Sequence, residues 1–337
     1  MVLLSTQHYV NGFILVTPKR LRYLAFMKWQ IYRTDYSPYF SSTFKERERE
    51  LFSQFSELEI RDDWPNTKNI LITNTSTRTE DIPIQVLKQC ELIIHPNSGY
   101  DNFSAHFVSG FDFPIVLGNS IRAQGVAEYI LSCLFQHFSK IPKQNEWNKS
   151  RQWNRKLISE LNIQILGYGH IGKKVYASLN AMGAQVSVYD PYKKSQNESL
   201  LQKNIDVLIL ACGLNQDNKD FINKAFFKSC SEDLLIINGA RGGLIHEADL
   251  INFLETNNEA YAYLDVFQEE PLVDEHPFFQ QKNINITSHI AGCSNSLENK
   301  ILDFENKVLY DFFNEKNFDK IYTESLLKNH LIEGILI

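Results

Sequence analysis

The sequence predicts an α/β protein of two units, each a doubly wound parallel sheet with helices on its faces. Three observations point there. The chain of 337 residues is too long for one ordinary compact core. Its middle alternates short apolar, β-rich runs with helical patterns, the rhythm of βαβ units. One such run leads directly into closely spaced glycines and then a helix, "IQILGYGHIGKKV" from residue 163.

The elements can be taken in order. The first 60 residues are the least legible: "FILV" (13–16) reads as a strand and "ERERELFSQF" (46–55) as a helix, with "RTDYSPYFSST" between them only as loop. Strands are then expected at "NILIT" (69–73), "ELIIH" (91–95) and "PIVL" (114–117), with the helical "PIQVLKQ" among them, which makes a smaller α/β unit. "RAQGVAEYILSCLFQHF" (122–138) has the spacing of a long helix linking the two units. Further strands are expected at 163–166, 185–190, 206–211, 233–238, 262–267 and 284–289, separated by the helical "KKVYASLNAM", "NKAFFKSC" and "EADLINFLET". "LENKILDFENKVLYDFF" closes the series as one amphipathic helix, after which the tail can return to the first unit.

Composition narrows the function classes. A hydrophobic fraction of 43% against 22% charged residues describes a globular chain. A formal charge of -6 gives no footprint for a polyanion, so no nucleic-acid partner is expected, and "KER" and "KSRQWNRK" read as solvated faces. No window reaches the roughly 18 apolar residues of a membrane span. The start lacks a basic lead and its apolar run is broken by Gln7, His8 and Asn11, unlike a signal peptide. Cys90, Cys133, Cys212, Cys230 and Cys293 are scattered without CxxC pairing, which points to buried thiols in a reducing, cytoplasmic setting and to no metal site.

The glycine turn carries the first chemical signal. After the strand come Gly167, Gly169 and Gly172, a helix follows, and the next strand ends at Asp190, eighteen residues beyond the last glycine. Gly167 permits a tight turn, Gly169 lets a pyrophosphate approach the backbone, and Gly172 lets helix and strand pack closely at the helix N-terminus. His170 reads as a spacer in this loop. A carboxylate at Asp190 accepts hydrogen bonds from ribose hydroxyls and repels a 2'-phosphate, so the expected cofactor is NAD.

In open parallel sheets ligands collect at the carboxyl ends of strands. There the sequence places Arg241 in "GARGG", Asp265 followed by Glu270 before a proline, and His289 in "SHIAG". Arginine, carboxylate and histidine beside a nicotinamide site have the chemistry to move a hydride and a proton.

These motifs, "GYGHIG", "YDPY", "NGARGGLIHEADL", "LDVFQEEP" and "SHIAG", with "NSGYDN" (97–102) and "GVAEYIL" (125–131) upstream, resemble the D-isomer-specific 2-hydroxyacid dehydrogenase family over roughly residues 69 to 310. The resemblance implies two Rossmann-like domains, an NAD-binding one (119–304) inserted in a discontinuous substrate domain (1–118 and 305–337), and a homodimer. It implies catalytic roles for Arg241, Glu270 and His289, and a substrate carboxylate held by Ser98 and Gly99. It puts cofactor contacts at Gly167, Gly169, His170, Ile171, Gly172, Asp190, Ala240 and Asp265, with Asp265 facing the nicotinamide.

The expected function is NAD-dependent interconversion of a D-2-hydroxy acid and its 2-keto acid. The alternative is a non-catalytic NAD(H)-sensing scaffold on the same fold, against which the retained Arg241, Glu270 and His289 argue. Formate oxidation is disfavoured because relatives doing so place glutamine where this chain has Glu270. Three departures from the family stand out: Ala211, Cys212 and Gly213 replace a His-x-Pro loop, His246 replaces a helix-capping aspartate, and Thr73 and Thr75 follow a strand where users of phosphorylated substrates carry arginine, although Arg78 is near.

Overall fold

A computed structural model describes residues 9–10, 13–14, 28–139, 141, 150, 155–191 and 204–332. Strand β1 (Tyr9–Val10) pairs antiparallel with β2 (Phe13–Ile14), so the expected "FILV" strand is seen at its first two residues, and its last two lie outside the described residues. A sheet of five parallel strands then forms from β3 (Trp29–Arg33), β4 (Leu58–Ile60), β5 (Asn69–Ile72), β6 (Cys90–His95) and β7 (Ile115–Leu117), in the order β4-β3-β5-β6-β7. Helices α1 (Phe44–Ser53), α2 (Ile84–Leu87) and α3 (Ala105–Ser109) connect them.

Strands β3 and β4 are absent from the sequence reading, and β3 is an interior strand, paired on both sides. Its residues "WQIYR" do not alternate, because Gln30 and Arg33 are buried along with Ile31. They are tolerated inside because they are partnered. The Gln30 carbonyl oxygen Oε1 accepts the Asn66 N–H at 2.8 Å, and Arg33 Nε donates to Glu48 of α1 at 2.6 Å while its Nη2 donates to Glu305.

Helix α4 (Asn119–Phe138) leads to the second sheet, formed by β8 (Asn162–Leu166), β9 (Gln185–Tyr189), β10 (Val207–Leu210), β11 (Leu235–Asn238), β12 (Tyr261–Leu264) and β13 (Ile284–Ile286). All six strands are parallel, in the order β13-β12-β11-β10-β8-β9, with α5 (His170–Ala181), α6 (Lys224–Phe227) and α7 (Glu247–Thr256) between them. The chain reverses direction across the sheet between β8 and β10. Such a switch point opens a crevice at the carboxyl ends of the strands.

The strands run as continuous apolar segments because both faces are covered. Ile163, Ile165, Val207 and Ile209 pack on one side with α4 and α5, and Leu208, Leu210, Leu250 and Leu254 on the other. Helix α8 (Leu297–Asn314) returns to the first sheet, where Val308 and Leu309 pack with Ile70 and Ile94. After α9 (Phe318–Ile321), Leu326 bridges to Val116 and α10 (Leu327–Ile332) follows.

Among the described residues no helix is long and apolar enough to cross a membrane, and no group of His, Cys, Asp or Glu is placed to hold a metal ion. The five cysteines are free thiols, but the expected burial holds only for Cys90 and Cys133, since Cys212 and Cys230 are half-buried and Cys293, in the loop before α8, is exposed. The basic "KSRQWNRK" stretch lies largely outside the described residues.

Candidate active site

The glycine turn sits at the switch point, after β8. Gly167 has φ +100°, a conformation that costs an L side chain and that glycine adopts freely. Space as well as conformation demands glycine here: a Cβ on Gly167 would lie 2.6 Å from the Ala211 carbonyl, and one on Gly172 would lie 2.1 Å from the Gly167 carbonyl. Gly169 precedes α5, which starts at His170 and carries Ile171 in its first turn, so the helix opens at the crevice. Asp190 closes the turn from the end of β9: it is buried, and its Oδ2 accepts the Tyr168 N–H at 2.8 Å. Positive-φ glycine, a helix N-terminus and a strand-end carboxylate fit a dinucleotide. Cys212 stands on the wall opposite, its thiol pushed up to about 12 by desolvation and by the Asp190 carboxylate beside it.

Arg241 follows β11 and reaches across to the first sheet's loop. Its Nε donates to Asp101 Oδ2 at 2.8 Å and its Nη1 to the Ala240 carbonyl at 2.7 Å. The third nitrogen lies against Gly99, where an added Cβ would sit 1.7 Å from Nη2. Gly99 therefore leaves the room that the guanidinium occupies. Ala240, buried before Arg241, donates its own N–H to the Asn238 side chain at 3.1 Å, so the turn is fixed on both sides of the arginine.

Glu270 and His289 converge from the ends of β12 and β13. His289 Nδ1 lies 2.7 Å from Glu270 Oε2, and Glu270 Oε1 accepts the Phe267 N–H at 3.0 Å. Partial burial works against charge on Glu270, yet the His289 and Phe267 hydrogen bonds, the His289 charge and the Arg241 charge outweigh it. The carboxyl is held below its ordinary value. Arg241 is thus close enough to act electrostatically on the pair.

His289 itself adopts φ +56°, an uncommon backbone state for a residue with a side chain. Asp265 sustains it. The His289 N–H donates to the Asp265 carbonyl at 2.8 Å, and the Asp265 carboxylate accepts from Thr287 Oγ1 at 2.6 Å, from the Ile290 N–H at 2.8 Å and from the Ala291 N–H at 2.8 Å. Buried and with both oxygens engaged, Asp265 grips the loop that presents His289. The strand expected over 284–289 ends at Ile286 because this loop turns toward Asp265 instead of continuing the sheet.

Ser98 and Gly99 lie in the loop after β6, with Ser98 Oγ donating to the Asn119 carbonyl at 3.2 Å. His246 precedes α7 without a capping hydrogen bond from its side chain, and its Nδ1 stands 3.0 Å from Asp249. Thr73 is buried and Thr75 exposed, while Arg78 is taken up by Glu80 at 3.1 Å and Asp81 at 3.6 Å. Sequence reasoning missed Asp101, Thr287 and His95. Asp101 stands inside "NSGYDN", and His95 is the last residue of β6, so the strand-end rule that located Arg241 and His289 points to it as well once it is applied to the first sheet.

Residues 131–291 match the family described as D-isomer specific 2-hydroxyacid dehydrogenase, NAD binding domain. A hydroxypyruvate reductase of Blautia hydrogenotrophica is 26% identical over 260 residues, 70% of this chain and 80% of that protein. A D-3-phosphoglycerate dehydrogenase of Bacillus subtilis is 29% identical over 236 residues, 63% of this chain, and the match spans only 44% of that relative's length. The solved D-lactate dehydrogenase of Aquifex aeolicus, complexed with NAD and lactic acid, superposes with a TM-score of 0.68 at 18% identity, covering 88% of this chain and 98% of that one. With the glycine turn and the six-stranded parallel sheet inside the matched segment, residues 131–291 carry the NAD-binding domain of the D-isomer-specific 2-hydroxyacid dehydrogenase family.

Proposed function

We propose that the protein interconverts a D-2-hydroxy acid and its 2-keto acid with NAD as the redox partner. The observation that carries the reading is the His289–Glu270 pair at 2.7 Å, within electrostatic reach of Arg241 and past the carboxyl ends of strands in the same parallel sheet as the glycine turn. NAD, when bound, supplies or takes up the hydride. In the reducing direction His289 donates a proton to the carbonyl oxygen of the substrate, and Glu270 stabilises the imidazolium that does so. In the oxidising direction the neutral ring takes the hydroxyl proton. Arg241 binds the substrate carboxylate and polarises the adjacent carbonyl, a task for a permanently charged, forked donor.

The Ser98 and Gly99 backbone amides share that carboxylate, and Asp265 keeps His289 at its station. Gly167, Gly169, His170, Ile171, Gly172, Asp190 and Ala240 form the cofactor's bed, Asp190 favouring NAD over NADP. A substrate without phosphate fits best, since Arg78 is committed to Glu80 and Asp81. The same reading divides the chain into a substrate unit (1–118 and 305–337) and a cofactor unit (119–304), working as a homodimer. Five free thiols fit a cytoplasmic setting.

The test is a panel of 2-keto acids, glyoxylate, hydroxypyruvate, pyruvate and longer homologues, assayed by NADH absorbance with the purified protein. Turnover of at least one is expected. NADH binding without any turnover would overturn the reading in favour of a sensing scaffold.

A further inference from the structure

The loop between β6 and α3 is held by its carbonyls. The Pro96 carbonyl accepts from Arg122 Nη1 at 2.6 Å, that of Asn97 from the Gly118 N–H at 3.0 Å, and that of Gly99 from His95 at 2.8 Å. By contrast, the Ser98 and Gly99 N–H groups have no acceptor among the described residues. Successive free amides beside a guanidinium make a concavity for an anion.

His95 is the most tightly defined of these holders. Its ring is fully buried, edge-on to Phe103 with centroids 5.1 Å apart, and hydrogen-bonded on both sides: Nδ1 to Thr73 Oγ1 and Nε2 to the Gly99 carbonyl, each at 2.8 Å. A carbonyl has no hydrogen to give, so Nε2 carries the proton. The neutral ring must then accept the Thr73 hydroxyl hydrogen at Nδ1, which fixes one tautomer. Burial keeps the ring neutral, pushing its pKa down to about 4. Ring and hydroxyl together span from the end of β5 to the loop after β6.

We propose that His95, set by Thr73, is a positioning residue that holds the Ser98–Gly99 turn so that its two amides converge on the substrate carboxylate. This rests on the reading that the carboxylate binds there. His95 touches neither substrate nor cofactor. It acts through the Gly99 carbonyl, directly beside the nitrogen that Arg241 presents to Gly99.

The experiment compares the wild type with His95→Ala, His95→Gln and Thr73→Val, measuring KM and kcat for glyoxylate with NADH, the Kd of oxalate for the NADH complex, and the Kd of NADH alone. His95→Ala is expected to raise KM and oxalate Kd together by about tenfold or more, with NADH Kd unchanged. His95→Gln, which keeps an N–H for the Gly99 carbonyl, should recover most of the loss, and Thr73→Val should fall between. A fall in kcat with KM and oxalate Kd unchanged, or a glutamine no better than alanine, would overturn the proposal. Should the alanine variant fail to fold, an unaltered oxalate Kd in Thr73→Val would overturn it too. A wild type that turns over no 2-keto acid but binds oxalate in a His95-dependent way would sink the functional reading and uphold the loop assignment. A wild type whose NADH complex binds no oxalate would sink the loop assignment.

Discussion

Glu270 offers one carboxylate oxygen to the imidazole of His289 at 2.7 Å and the other to the backbone N–H of Phe267 at 3.0 Å, so the acid is anchored before it engages the base. Glu270→Gln removes the charge and keeps the shape. Without the anion a protonated imidazole loses its counter-charge, and kcat/KM for keto-acid reduction should fall by about tenfold or more with NADH affinity unchanged. Steady-state kinetics of wild type and variant check this, and equal kcat/KM values would refute it.

Gly99→Ala separates function from folding. The added methyl would sit 1.7 Å from Arg241 Nη2, but that atom ends a flexible side chain that can swing aside. Stability should therefore hold while kcat/KM for the keto acid falls by about 100-fold, the cost of misplacing a positioning group. Thermal melting and steady-state kinetics on one preparation decide it.

Asp265→Ala should weaken both fold and activity. It strips acceptors from Thr287 Oγ1, the Ile290 N–H and the Ala291 N–H, and frees His289 from its φ of +56°. Each buried donor left unpaired costs about 1–3 kcal/mol. Unfolding in urea should show the loss, with NADH oxidation falling alongside.

The candidate residues legible in the sequence are those whose placement is written in local pattern. Gly167 and Gly172 announce themselves because spacing, strand and helix coincide, and Arg241, Glu270 and His289 because each stands just past an apolar strand. Strand β3 was not legible. Its Gln30 and Arg33 look solvent-facing until Asn66 and the distant Glu305 are seen to receive them. His95 and Asp101 were passed over for a similar reason, since their partners Gly99 and Arg241 become neighbours only through loop geometry and the meeting of two sheets.

The buried triad of Arg33, Glu48 and Glu305 ties β3 to α1 and α8. Burial raises the Glu305 carboxyl well above its ordinary range, against the pull of Arg33, so the folded state favours its protonated form. Arg33→Met leaves Glu48 buried without its cation and should cost about 3–5 kcal/mol. Glu305→Gln imitates the protonated acid and should change stability by only about 1 kcal/mol. Chemical denaturation of the two variants at neutral pH compares them.

His95 adds an acid-sensitive contribution. Its folded pKa, about 4, lies below the roughly 6.5 of a free histidine, so between those values the unfolded chain binds the extra proton. The stability it contributes is complete above that window and is lost as pH falls through it, on the order of 3 kcal/mol. Glu305 has the opposite sign, its contribution being lost as pH rises past the ordinary carboxylate range. Melting curves for wild type and His95→Gln across this window should converge at low pH.

The most direct test of the central claim is single-turnover oxidation of pre-bound NADH by glyoxylate in wild type and His289→Gln, with NADH affinity measured separately. The account predicts equal NADH affinity and a transfer rate lower by about 100-fold or more in the variant. Equal transfer rates in the two proteins would show that His289 supplies no proton, and the proposed chemistry would fail.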